Sequence, residues 1–222
     1  MLILASGSPR RKEILARNNI EFVIRKAVSE EKSDKTEPAE YVAELAYNKA
    51  EEVFNSVDTG CFEREYLAGM CFEGDFIKKE WYILAADTVV AVDHNILGKP
   101  KNQKDAFNMI KGFAGRSHNV YTGVCIFKAE YTKCGNDDGC IRLLNKNVFC
   151  ENTIVNVKPI SDEEIEHYIE IGESMDKAGA YAIQGEFSKY IESIEGDYDN
   201  VVGLPYKRVM EELNKMGFSR AN

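Results

Sequence analysis

Leu2-Ile3-Leu4-Ala5-Ser6-Gly7-Ser8-Pro9-Arg10-Arg11-Lys12 opens the chain with an apolar run, a loop of small residues and a basic turn. The run reads as a buried strand. Ser8 and Pro9 are helix starters, one a side-chain cap and the other a ring with preset φ, so a helix is expected to about Asn18. A strand fed into a helix through a tight loop is the unit of an α/β sheet. Arg10, Arg11 and Lys12 occupy the first helical turn, where the macrodipole is positive and cations are unfavourable. An anion seated at the helix start removes the mismatch, held by free N–H groups, Ser hydroxyls and arginine forks. The alternative is a solvated basic turn.

Outward from this unit, the pattern keeps alternating helix and strand. A second helix is expected over residues 38–54, with Val42, Leu45, Ala46, Ala50 and Val53 as its apolar stripe. Residues 57–80 lack clean periodicity and read as an inserted excursion. Residues 82–86 and 88–92 are strand-like, and Asp93-His94-Asn95 is a turn. Asn102 caps a helix to about Phe113. Alternation resumes at His118, Val120, Thr122, Val124 and Ile126, and a matching strand covers residues 148–157. Between them lies an extended hairpin tip at about 131–146, carrying Gly135-Asn136-Asp137-Asp138-Gly139. Ser161 and Glu164 form a capping box for a helix ending near Gly172. Residues 180–183 and 190–194 read as strands, and Pro205 opens a last helix that stops at Gly217. The fold class is α/β, and the hairpin makes the sheet mixed.

The 222 residues are 44% hydrophobic and 29% charged, enough for one sizeable core and incompatible with global disorder. No apolar run approaches the roughly 20 residues a membrane span needs, and the apolar start is too short for a signal-peptide core. A cytoplasmic protein without a membrane partner is expected. A net charge of −9 argues against a nucleic-acid polymer as partner; a small phosphate-bearing ligand needs only local cations. Cys61, Cys71, Cys125, Cys134, Cys140 and Cys150 form no C-x-x-C pair and are expected as free thiols, with Cys61–Cys71 or Cys134–Cys140 as the alternative pairings. His94, His118 and His167 are scattered, so a metal, if used, would be Mg²⁺ or Mn²⁺ on hard oxygen ligands.

Four further positions could carry chemistry. Asp87 lies between apolar runs, where a carboxylate is costly unless paired or metal-bound; it is a metal ligand, a general base, or a strand-end residue reaching solvent. Lys49 falls on the apolar stripe of its helix, either snorkelling or meeting an anion. Lys99, in Gly98-Lys99-Pro100, is twelve residues past Asp87, close enough for a return strand to bring them together, or a simple turn lysine. Gln184 closes Asp176-Lys177-Ala178-Gly179-Ala180-Tyr181-Ala182-Ile183-Gln184-Gly185, whose small residues permit close backbone approach and whose amide suits a base edge; the alternative is tight packing.

Taken in order, Leu4-Ala5-Ser6-Gly7-Ser8-Pro9-Arg10-Arg11, Ala86-Asp87-Thr88-Val89-Val90, Leu97-Gly98-Lys99-Pro100, Gly115-Arg116-Ser117-His118-Asn119-Val120-Tyr121-Thr122-Gly123-Val124, the Asp176 segment and Asn200-Val201-Val202-Gly203-Leu204-Pro205 resemble the Maf family of nucleoside triphosphate pyrophosphatases. The resemblance implies an inosine-triphosphatase-like fold, an elongated mixed sheet with a cleft between two lobes, in a single domain over residues 1–222. It implies hydrolysis of a nucleoside triphosphate to monophosphate and pyrophosphate with a divalent metal, and leaves a homodimer open. Asp87 is then the proton acceptor and a metal ligand, with Glu30 similar in place to a second acidic ligand. Ser8, Arg11, Lys49 and Lys99 are phosphate-side groups. Arg10, Thr88 and Gln184 match the branch acting on dTTP and UTP, not the branch acting on 7-methyl-GTP. Clearing unwanted or modified pyrimidine nucleotides is the implied purpose. The lengthened stretches at 57–80 and at the hairpin tip, and Asp197 where a Ser is usual, depart from the family pattern. A non-catalytic nucleotide-binding regulator of cell division is the rival reading; it would have no need of Asp87 between apolar strands.

Overall fold

The computed structural model describes residues 1–29, 32–66, 76–134 and 139–219. In chain order the elements are β1 (Leu2–Leu4), α1 (Pro9–Arg17), β2 (Val23–Ile24), α2 (Pro38–Asn55), α3 (Thr59–Tyr66), β3 (Phe76–Val92), β4 (Asn95–Leu97), α4 (Gln103–Phe113), β5 (Ser117–Cys134), β6 (Cys140–Val157), α5 (Asp162–Ile171), β7 (Ile191–Glu195), α6 (Tyr198–Val202) and α7 (Tyr206–Lys215). The strands form one open mixed sheet in the order β2-β1-β3-β5-β6-β7, with β4 also paired to β3. β1 runs parallel to β2 and β3, and the other pairings are antiparallel.

β3 is apolar at successive positions because both of its faces are covered. Tyr82, Leu84 and Ala86 share a core with Ile14 of α1, Ile110 of α4, Ile165 of α5 and Leu213 of α7. Trp81, Ile83 and Ala85 point the other way, into a core with Ala46, Ala50 and Val53 of α2 and Phe62 of α3. The pleat thus assigns alternate residues of one strand to two different helical layers.

The cap readings hold at two helices. Asn102 accepts from the Asp105 N–H at 2.9 Å, and Ser161 and Glu164 form the reciprocal box. At α1, Ser8 occupies the cap position but its hydroxyl makes no cap bond. Several expectations are corrected. Residues 82–86 and 88–92 are one continuous strand running through Asp87, because Gly123 of β5 pairs with Asp87 and keeps the ladder unbroken. The arms of the hairpin reach Cys134 and begin again at Cys140, so most of the stretch read as a tip is regular ladder. Residues 180–183 form no strand; a single 3₁₀ turn precedes them at Ala178–Ala180, with Gly179 at φ 67°. Part of the 57–80 excursion is regular, as α3 and the start of β3. Phe62 of α3 packs against Trp81 and Tyr131 at ring separations of 5.4 and 5.0 Å, so α3 extends the core instead of interrupting it. Cys61, Cys125, Cys134, Cys140 and Cys150 are free thiols. Glu30 and Cys71 lie outside the described residues.

The sheet edge beside β3 is interrupted. β1 pairs only with Tyr82, Ile83 and Leu84, after which the Ala5 N–H donates to the Leu84 carbonyl at 2.8 Å. β4 pairs only with Val90, Ala91 and Val92. Between these two short strands a stretch of β3 centred on Asp87 and Thr88 has β5 on one side and no strand on the other among the described residues.

Candidate active site

A cleft of about 960 Å³ opens at this interruption. Because the gap passes through the plane of the sheet, residues from both faces of β3 border it. Ser8, Arg10, Arg11, Lys49, Asp87, Thr88, Lys99 and Gln184 all line the cleft, which brings together positions up to 176 residues apart in the chain.

On the α2 side, Asp87 is buried and its Oδ1 accepts from Lys49 Nζ at 2.5 Å, with side-chain exposures of 10% and 14%. The pairing explains Lys49 on an apolar stripe: its ammonium meets an anion, which offsets the cost of burying both charges. The approach of α2 depends on Gly123, the cross-strand neighbour of Asp87. A Cβ there would lie 2.2 Å from the Val42 carbonyl oxygen. The missing side chain lets the helix backbone rest on the sheet, within reach of Asp87.

On the opposite side, Arg11 is buried in the first turn of α1, where neutral oxygens accept from it. Its Nε donates to the Gly203 carbonyl at 2.8 Å, and its terminal nitrogens donate to Ser6 Oγ and Thr88 Oγ1, each at 3.1 Å. Ser6 Oγ also accepts from the Ser8 N–H at 3.2 Å, shaping the loop. Thr88 Oγ1 lies 2.9 Å from Thr122 Oγ1. Arg10, beside Arg11, is half-buried, and burial holds its guanidinium below the ordinary value, with Asp176 and Glu13 opposing that shift.

The third wall carries Gln184. Its segment is pinned from below: the Tyr181 hydroxyl lies 2.8 Å from His118 Nε2, and the Ala182 N–H donates to the Tyr168 hydroxyl at 3.1 Å. Burial lowers the His118 pKa to about 4, so the ring is neutral near pH 7, and burial drives the Tyr181 hydroxyl up. Gly179 is required twice over. Its φ is positive, and a Cβ would meet Val90 at 2.8 Å. The Gly179 N–H also donates to the Gly98 carbonyl at 3.0 Å, which ties the Lys99 loop to the Gln184 segment. Lys99 and Gln184 are exposed at the rim.

Some residues escaped the sequence reading. Lys177 lines the cleft and pairs with Asp176. Thr122 and Asn200 lie fully buried beneath Thr88 and Arg11. The signal for Thr122 was present, since it is the one hydroxyl among Val120, Thr122, Val124 and Ile126. Asp197, which stands where a Ser is usual in the family pattern, caps α6 by accepting from the Asp199 N–H at 2.8 Å.

Among the described residues, no group of three or more His, Cys, Asp or Glu could hold a metal ion. Asp87 is a hard oxygen donor in the cleft, and an ion that arrives with a triphosphate needs only one or two protein carboxylates. The donor set among the described residues therefore fits a Mg²⁺- or Mn²⁺-class ion shared with a substrate. Among the described residues, no helix is long and apolar enough to cross a membrane.

Known proteins resemble this chain along nearly its full length. The family described as Maf-like protein matches residues 1–216. The dTTP/UTP pyrophosphatase of Agathobacter rectalis is 43% identical over 216 residues, covering 97% of both chains. That of Caldanaerobacter subterraneus subsp. tengcongensis is 40% identical over 214 residues, 96% of this chain and 88% of the relative. That of Caldicellulosiruptor bescii is 43% identical over 218 residues, 98% and 95% respectively.

Proposed function

The chain belongs to the Maf family, and from that premise we propose that it is a nucleoside triphosphate pyrophosphatase hydrolysing dTTP and UTP to the monophosphate and pyrophosphate. The observation that carries this reading is the full-length likeness to proteins named for that activity. The cleft supports it through the kind of groups it gathers.

Cleavage between the α and β phosphates requires a water aligned on the α-phosphorus and cations that offset charge on the departing pyrophosphate. Asp87 is the proton acceptor: it takes a proton from the attacking water as the new P–O bond forms and the bond to the β-phosphate oxygen breaks. Lys49, 2.5 Å from Asp87, has an ammonium that phosphate oxygens and Asp87 share. Arg11, Lys99 and the Ser8 hydroxyl, which caps no backbone N–H, take the remaining phosphate oxygens. A divalent cation, when bound, would be held by Asp87 and phosphate oxygens and would offset further phosphate charge. Gln184, at the rim, reads the base: its amide donates to a carbonyl and accepts from the N3–H of uracil or thymine.

The test is a panel of UTP, dTTP, CTP and GTP with Mg²⁺ or Mn²⁺, assaying pyrophosphate and orthophosphate separately. UTP and dTTP are expected to yield pyrophosphate without orthophosphate. Stoichiometric orthophosphate would overturn the assignment of the cleaved bond, and equal kcat/KM across all four would overturn the assignment of the base.

A further inference from the structure

Thr88, which lines the cleft, also makes two hydrogen bonds within the protein. Thr122 Oγ1 lies 3.0 Å from the Asn200 carbonyl, which can only accept, so the single Thr122 proton goes there. In the Thr88–Thr122 bond, Thr122 is therefore the acceptor and Thr88 the donor. With its proton spent, Thr88 accepts from Arg11. The direction of every proton is fixed along the line Arg11 to Thr88 to Thr122 to Asn200.

Asn200 is itself locked. Its Nδ2 hydrogens reach the Val120 carbonyl and Thr153 Oγ1, each at 3.0 Å, and the residue is fully buried. These bonds clamp α6 onto β5 and β6. The other end of α6 is Gly203, whose φ of 126° turns the chain and whose carbonyl accepts from Arg11 Nε. One five-residue helix thus meets Arg11 twice, through Gly203 directly and through Asn200 by way of two threonines.

We infer that Thr122, anchored by Asn200, is a positioning residue that acts through Thr88 to fix the Arg11 guanidinium in the cleft. The inference rests on the reading of Arg11 as a phosphate-side group. A guanidinium oriented by unidirectional bonds needs no reorganisation when a polyphosphate arrives, and small misplacements of such groups cost about 10²-fold.

The test compares Thr122→Val, which keeps shape and loses the hydroxyl, with Thr122→Ser, which restores it. A melt accompanies each variant, and Thr88→Val with Thr88→Ser gives a second pair should Thr122→Val fail to fold. The valine variants are expected to lose roughly ten- to hundred-fold in kcat/KM for UTP and dTTP. The serine variants should recover most of that. Combining Thr122→Val with Arg11→Lys should add little to Arg11→Lys alone, because both remove the same oriented group. A valine variant with wild-type kcat/KM, or strictly multiplicative losses in the double variant, would each overturn the relay. Affinity for a non-hydrolysable α,β-methylene UTP, measured in parallel, separates the two proposals. Wild type that binds the analogue without releasing pyrophosphate from UTP refutes the activity, whereas equal analogue affinity in wild type and Thr122→Val refutes the relay.

Discussion

Asp87 and Glu130 are both buried carboxylates on the long central strands, and each meets a cation, yet their settings differ. Glu130 Oε1 accepts from Arg142 Nε at 3.0 Å and from its terminal nitrogen at 2.5 Å, while Lys78 reaches Oε2 at 3.2 Å. Both oxygens are taken, on a part of the hairpin remote from the cleft. Among the described residues, Asp87 meets a lysine on Oδ1 and borders the cleft. A carboxylate matched on both oxygens by cations is architecture. One met on one oxygen beside open space can exchange that partner for a substrate. Buried charge alone therefore does not mark a reactive group; the unfinished match does.

The strongest way to break this contrast is Asp87→Asn. The amide is nearly isosteric but accepts no proton, and a loss of about 10²- to 10⁴-fold in kcat is expected, with the fold kept and the melting temperature lowered because Lys49 loses its counter-charge. Near-normal turnover in a folded variant would move the proton acceptor elsewhere, with Glu30 the next residue to test. Gly123→Ala comes second. Its Cβ would press on the Val42 backbone, so α2 must lift, at a cost of about 1–3 kcal/mol in stability. Steady-state assays below the melting temperature should show kcat falling as Lys49 withdraws from Asp87. Unchanged kcat would mean that the pair does not depend on the close helix approach.

Gln184→Glu sharpens the contrast from the rim. An ionised carboxylate cannot donate to a base carbonyl, and a roughly ten- to hundred-fold loss in kcat/KM for UTP is expected, without effect on the fold. The smallest effect on catalysis belongs to Glu130→Gln: kcat and KM unchanged, with a lower melting temperature near neutral pH. Arg142 and Lys78 hold the Glu130 carboxyl below its ordinary range. Its contribution is thus complete above the unfolded carboxylate pKa and is lost as pH falls through the lower native value. Wild type and variant should converge on acidification. His118 adds a slope common to both: unfolded, it takes a proton near pH 6.5, but in the native core only near pH 4, so stability falls between those values in each protein. The difference between the two melts isolates Glu130.

Much of this was legible in the sequence because it rests on local rules. The Asn102 cap, the Ser161 box and the Gly172 stop are short-range signals, and the structure reproduces them. The positions of Asp87 and Lys49 were also legible, as charges where periodicity demands apolar residues. The course of β3 through Asp87 was not, because continuity is supplied by a glycine 36 residues away on β5. Residues 180–183 look like a strand by composition, but Gly179 and Ala180 both take positive φ, which a strand excludes. The roles of Thr88, Thr122 and Asn200 depend on which way each proton points, and that follows only from knowing what each hydroxyl touches. Glu30, whose place comes only from resemblance, lies outside the described residues.

The interruption of the sheet edge also bears on how the gene can vary. Asp87 and Thr88 are adjacent in the chain but work on opposite faces, so their roles are separated by nothing more than pleat parity. An insertion or deletion of one codon upstream of Asp87 within β3 would turn the carboxylate toward Arg11 and the hydroxyl toward Lys49, keeping composition and hydropathy while inverting the chemistry. Length change is harmless only outside this frame. The two stretches expected to be longer than the family pattern, near 57–80 and at the far end of the β5–β6 hairpin, stand beside residues 82–92 that keep register with β1, β4 and β5. Parity across those eleven positions is what keeps the carboxylate and the hydroxyl on their own faces.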